Sequence, residues 1–303
     1  MTAAIERAPA PDRAGSGGSR RMTLAVPNKG RLVEPTLALL HDAGLIFEER
    51  DRSLVSHVEN VPLDILFVRT NDVIEFVGDG VADLGITGGD LLAEAGATLP
   101  IVRSLGYGRC RLAAAVPRDA PQHAIAELAG LRVATAHPGA TRRWFEDHGI
   151  PVVVIPLSGA VEVAPRLGLA DAIVDLVSTG VTLGTNGLRP IGDLLASEAI
   201  LVGNPARLVA ESGPVDRLDT MLGAVLAGRQ RKYVMMNAPV GRLAELEALL
   251  PGLESPSVIP LAHAGMIAIQ AVVGSDDVWD LLPRLKAAGA SGILVLPIEK
   301  LIP

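Results

Sequence analysis

The chain has 303 residues, 49% of them apolar and 20% charged, which allows two or three domains with sizeable cores and excludes general disorder. A net charge of −7 argues against a polyanion-binding surface, and so against nucleic acid as a partner; aromatics at 3% are too few for base-stacking platforms. The single cysteine, Cys110, forms no disulfide framework or cysteine metal cluster and reads as a packed core residue, and no apolar run is long enough to span a membrane.

Residues 1–21, rich in Ala, Pro, Gly, Ser and Arg, lack an apolar h-region and read as a disordered tail of a cytoplasmic protein. A first strand, 22–26, runs into Pro27-Asn28-Lys29-Gly30-Arg31, and a helix over 34–43 is stopped by Gly44. Residues 64–69 form a strand ending in Arg69, 71–80 a helix, and 82–86 a short buried strand followed by a glycine-rich turn through Asp90. Ligands of open α/β sheets sit beyond the carboxyl ends of the strands, and Lys29, Arg31, Arg69 and Asp83 are expected together on that edge. Two strands, 101–105 and 110–116, are joined by Gly106-Tyr107-Gly108-Arg109.

The alternation then restarts. A strand over 131–134 precedes the turn His137-Pro138-Gly139, a helix over 140–148, a strand over 152–155 and a helix over 161–168 that carries Glu162. The most informative stretch follows. Ala172–Leu176 has the β-branched, apolar character of a buried strand, except for Asp175. Ser178, Thr179, Gly180, Val181 and Thr182 come next, and such a loop can aim several amides and hydroxyls at one phosphate. A carboxylate just before it repels phosphate but accepts hydrogen bonds from ribose hydroxyls. Strand, acid and loop together point to a ribose 5-phosphate site, the alternative being a polar turn with a helix cap. A strand over 200–203 and a helix over 209–227 lead to a βαββαβ order from Arg231 to Pro297, which matches a ferredoxin-like module.

Glu162 to Leu188, EVAPRLGLADAIVDLVSTGVTLGTNGL, resembles the signature of the ATP phosphoribosyltransferases. PNKGRL (27–32), DILFVR (64–69), ADLGITG (82–88) and GRCRL (108–112) are similar to the same family. So are KYVMMNAP (232–239), ESPSVIPLA (254–262) and ILVLPIEK (293–300), which match its long form. His137 departs from the family's Thr-x-aromatic-Pro pattern.

The resemblance implies an α/β fold with two catalytic lobes like a type II periplasmic binding protein, plus a ferredoxin-like regulatory domain. Lobe I would span 22–112 and 207–227, lobe II 113–206, and the regulatory domain 228–303. It further implies transfer of the phosphoribosyl group of PRPP to N1 of ATP, with Mg²⁺ and no protein-only metal cage, in a homohexamer built from dimers. Asp175 and Glu162 would act at the reacting ribose, and Asp175, Ser178, Thr179, Gly180, Val181 and Thr182 would bind PRPP. Lys29, Arg31, Arg69, Asp83 and Arg109 would face ATP. Histidine, as feedback inhibitor, would bind at Asn237 and Leu261. The short form's separate regulatory subunit is not implied, because the C-terminal module is present.

Overall fold

The computed structural model describes residues 20–48, 53–178, 180–210, 212–250 and 255–302. The chain starts with β1 (Met22–Pro27), α1 (Val33–Asp42), β2 (Val55–His57), β3 (Leu63–Val68), α2 (Val73–Gly78), β4 (Leu84–Gly88), α3 (Gly89–Ala95) and β5 (Ile101–Ser104). It crosses on β6 (Cys110–Pro117) to β7 (Arg132–Thr135), α4 (Pro138–Asp147), β8 (Val153–Pro156), β9 (Ala172–Val177), α5 (Val181–Thr185) and β10 (Leu188–Ser197). It returns through β11 (Ala199–Gly203), α6 (Pro205–Ala210) and α7 (Ser212–Arg229). The last part is β12 (Arg231–Pro239), α8 (Leu243–Glu247), β13 (Ser257–Pro260), β14 (Met266–Gly274), α9 (Val278–Ala287) and β15 (Ser291–Pro297).

Three sheets result. The first runs β2-β3-β1-β4-β11-β5 and the second β10-β6-β9-β7-β8. Each holds a parallel trio, β3-β1-β4 or β8-β7-β9, followed by one antiparallel strand that has crossed from the other lobe. β11 enters the first sheet between β4 and β5, and β6 enters the second between β9 and β10. This exchange of strands is the type II binding-protein arrangement, and it places the carboxyl ends of both trios on a shared cleft. The third sheet, β13-β14-β12-β15, has the ferredoxin-like order.

Sequence and packing agree most closely in the parallel trios. Leu24, Ala25 and Val26 are fully buried on both faces of β1. Leu24 and Val26 pack with Leu39 of α1 and Leu222 of α7, while Ala25 packs with Val73 and Val77 of α2. Leu24 and Val26 each contribute roughly 1.5–3 kcal/mol of burial, and together with Ala25 they anchor the loop that follows Pro27.

Several expectations are corrected. The helix over 161–168 is only a 3-10 turn at Val161–Val163. Ala160 enters it at φ 52°, in the left-handed region, and Pro165 cannot donate the amide that an α-helix needs there. Residues 188–197, not assigned to any element, form β10, whose register shifts at Pro190/Gly192 and Asp193/Leu195 hide its alternation. The chain rejoins the first sheet at Ala199 and not at 207, because β11 pairs with β4 and β5. The helix placed over 209–227 starts earlier, as α6 and α7.

Residues 1–19 of the expected tail lie outside the described residues. Arg20 and Arg21 do not belong to such a tail. Arg21 Nη2 donates to the carbonyls of Val58 at 2.9 Å and Leu63 at 2.7 Å, and Arg20 Nη2 reaches Asp83 Oδ1 at 2.8 Å. Among the described residues no helix is long and apolar enough to cross a membrane.

Candidate active site

The second lobe supplies an open helix start. β9 ends at Val177, and Gly180 turns the chain at φ 80°, a conformation that costs a side-chain-bearing residue strain. α5 begins at Val181 with no side-chain cap, and among the described residues its first closing bond is Gly184 N–H to the Gly180 carbonyl at 3.2 Å. The leading amides of the helix therefore remain available to a ligand. At the other end Arg118 Nη2 donates to the Gly184 carbonyl at 2.9 Å. Ser178, Val181 and Thr182 are exposed, and Thr179 lies outside the described residues.

Asp175 stands on β9 just before this loop and accepts the Leu176 amide at 2.8 Å. Burial pushes its carboxyl above the ordinary range; the Leu176 amide and His137 oppose that shift, and the charge of Glu162 adds to it. Glu162, on the 3-10 turn, faces it. A cavity of about 310 Å³ is lined by Arg31, Glu162, Asp175, Ser178, Gly180 and Thr182. A helix start without a side-chain cap and two carboxylates thus share one space.

The first lobe closes the cleft from the other side. Arg31, in the loop after β1, lines that cavity and also a second one of about 280 Å³ with Thr70, Asp90, His137 and Leu176. Its Nη2 lies 3.0 Å from Cys110 Sγ and 3.6 Å from Asp90 Oδ1. Asp90 is buried, accepts from Ser197 Oγ at 2.7 Å and stands 3.9 Å from His137 Nε2. Lys29 is exposed in the same loop, where its carbonyl accepts from Thr70 Oγ1 at 3.3 Å. Arg69 is exposed at the carboxyl end of β3. Arg109, in the crossover before β6, has a side chain 74% exposed and pairs with Glu198 at 3.4 Å. Among the described residues no group of three His, Cys, Asp or Glu side chains converges.

Asp83 is the clear correction. It precedes β4 and bonds the start of β1, accepting the Thr23 amide at 2.8 Å, so it lies at the amino edge of the sheet, opposite the cleft. Fully buried, it holds Arg20 at 2.8 Å and Arg207 at 3.5 Å. The cleft acid of the first lobe is Asp90, seven residues later and one strand length away. The glycine-rich turn through Asp90 was visible in the sequence, but its partner Ser197 is 107 residues distant. In the third sheet, Asn237 pairs with Ala268, while the Leu261 amide bonds the Met266 carbonyl at 3.0 Å, so both stand near one end of β14.

The sequence pattern described as "ATP phosphoribosyltransferase" matches residues 69–224, and the one described as "HisG, C-terminal domain" matches 228–300. The chain belongs to the ATP phosphoribosyltransferase family. With the C-terminal part present it is of the long form, and the family's enzymes are pentosyltransferases. The ATP phosphoribosyltransferase of Gemmatimonas aurantiaca is 44% identical over 292 residues, covering 93% of this chain and 100% of the relative. That of Methanopyrus kandleri is also 44% identical, over 284 residues, with 93% and 100% covered. A chain of the ATP phosphoribosyl transferase (HisG:HisZ) complex from Thermotoga maritima aligns with a TM-score of 0.57 and 32% identity, covering 66% of this chain and 98% of that one.

Proposed function

We propose that this protein transfers the 5-phosphoribosyl group of PRPP to N1 of ATP, releasing pyrophosphate, as the first step of histidine biosynthesis. The observation that carries the reading is the uncapped start of α5, which shares a cavity with Asp175 and Glu162. An anion seated on the loop from Ser178 to Thr182 would bring its ribose within reach of a carboxylate that cannot itself bind phosphate.

C1 of the ribose gains positive charge as pyrophosphate leaves, and catalysis consists chiefly of positioning and charge stabilisation. Asp175 accepts the ribose hydroxyls and favours the cationic centre, with Glu162 beside it. Arg31, shared by both cavities, offers a guanidinium fork to phosphate oxygens where the two substrates meet. Lys29, Arg69 and Arg109 are the remaining cations for the phosphates of ATP. Adenine N1 is unprotonated at neutral pH, so its attack needs no strong base. Magnesium belongs to this reading as an ion that would be held largely by the substrates and would neutralise the charge of the leaving pyrophosphate.

The same reading takes histidine as a feedback inhibitor at Asn237 and Leu261, a homohexamer built from dimers, and a cytoplasmic setting. Inhibition from the third sheet requires the inhibitor to favour one state of the cleft over another. The test is to mix the protein with ATP, PRPP and Mg²⁺ and measure pyrophosphate and the ribosylated nucleotide. Equal amounts of the two products are expected, with loss of both on adding histidine. No pyrophosphate from the mixture overturns the activity; turnover indifferent to histidine overturns the sensor.

A further inference from the structure

α3 belongs by connectivity to the first lobe, yet it packs on both: Leu92 joins the core around β1 and α2, and Ala93 joins the core of the second lobe. One face of α3 also meets the start of α4. Asp90 approaches His137, the residue before α4, and one turn later Glu94 accepts two of its leading amides, Gly139 at 2.9 Å and Ala140 at 2.7 Å. The exchange is reciprocal. Arg143 of α4 donates back to the Ala93 carbonyl and, at 2.8 Å, to the Glu94 carbonyl at the end of α3. Orphan donors of one helix and orphan acceptors of the other are thus satisfied across the lobe boundary. The approach is close enough that a Cβ on Gly139 would stand 2.5 Å from the Glu94 carbonyl oxygen.

We infer that Glu94 and Arg143 form an inter-lobe clasp, and that Glu94 is a positioning residue for the phosphoribosyl transfer. Resting on the activity proposed above, the clasp sets the gap between Arg31 and Asp90 on the first lobe and Asp175 and the phosphate loop on the second. The physical need is specific. Two substrates held largely by opposite lobes react only when their atoms stand near attack distance, and about 1 Å of misplacement costs on the order of 100-fold in rate. A clasp between the two helices beside the cleft fixes that distance without touching either substrate.

The experiment uses the full chain with three substitutions: Glu94→Ala, Glu94→Gln and Gly139→Ala. Glu94→Ala removes both acceptors, Glu94→Gln keeps one acceptor oxygen, and Gly139→Ala keeps the carboxylate but forces the helices apart. Turnover in Glu94→Ala and Gly139→Ala is expected to fall about 10- to 100-fold, with the PRPP dissociation constant within about twofold of the parent. Glu94→Gln should fall in between. Amide hydrogen exchange at Gly139 and Ala140 should quicken by at least about tenfold in Glu94→Ala. Quickened exchange with unchanged turnover overturns the positioning role. Unchanged exchange overturns the clasp itself. Should Glu94→Ala fail to fold, Glu94→Gln and Gly139→Ala carry the same two outcomes. A parent protein that releases no pyrophosphate sinks the activity reading and the positioning role with it, and the exchange measurement then decides the clasp alone.

Discussion

Two helices of the second lobe begin at the carboxyl ends of neighbouring strands, and their starts are treated in opposite ways. α4 follows β7, runs for ten residues and has its first amides occupied by Glu94 from the other lobe. α5 follows β9, runs for only five, and leaves its first amides to the cleft. By length alone the longer helix, with the larger dipole, is the better anion site. The structure uses that helix to join the lobes and leaves the start of the weaker one without a side-chain cap. A helix start in a cleft is therefore no evidence of a site until its amides have been followed to their partners.

The largest effect should come from the acid beside the open start. Asp175→Ala is expected to lower kcat/KM for PRPP by about 2–4 kcal/mol, because hydrogen bonds to a charged acceptor strengthen as positive charge develops. Steady-state kinetics check this, and unchanged constants would remove Asp175 from the reaction. Asp83, at the opposite edge of the first sheet, should separate the other way. Asp83→Asn should cost about 1.5–3 kcal/mol of folding stability through its charged partners, while leaving the KM for ATP alone. Urea unfolding with parallel kinetics decides; a raised KM without lost stability would return Asp83 to the ATP side.

The legible part of this molecule was the part whose meaning is local. Fully apolar runs such as Leu24–Val26 declare buried parallel strands, and the hydroxyl-glycine loop after Asp175 declares a strand-to-helix turn within a dozen residues. What stayed hidden depends on residues brought together from far away. Asp90 acquires its role from Ser197, and Glu94 from Gly139, 45 positions on. Asp83 stands at the amino end of the expected 82–86 strand, away from the ligand edge, and the Thr23 amide bonded to it fixes it there. β10 was masked by its own irregularities, and α3 by the two glycines at its start, which read as a turn.

A smaller effect should follow from Gly180→Ala at the open start. Forcing a Cβ into φ 80° costs about 1–2 kcal/mol, shared between thermal stability and PRPP binding. Calorimetry on the free and PRPP-bound protein measures both shares. If neither moves, the left-handed turn is not what shapes the loop.

The smallest and most diagnostic effect lies in pH. Because burial raises the Asp175 carboxyl above 3.8, the folded chain binds that proton more readily than the unfolded one. Between the raised value and 3.8 the folded state carries the extra proton, so this residue's contribution to stability improves as pH falls through the window. Ribose hydroxyls need the carboxylate, so PRPP affinity should fall over that same window. Asp171, held below its ordinary range by the side chain of Arg132, has the opposite stability sign, losing its contribution as pH drops. Subtracting an Asp175→Asn curve from the parent cancels Asp171 and leaves Asp175. Denaturant unfolding and PRPP titration from about pH 4 to 7 should give difference curves of opposite slope. Curves of the same slope would mean that the charge which costs the fold is not the charge that holds the sugar.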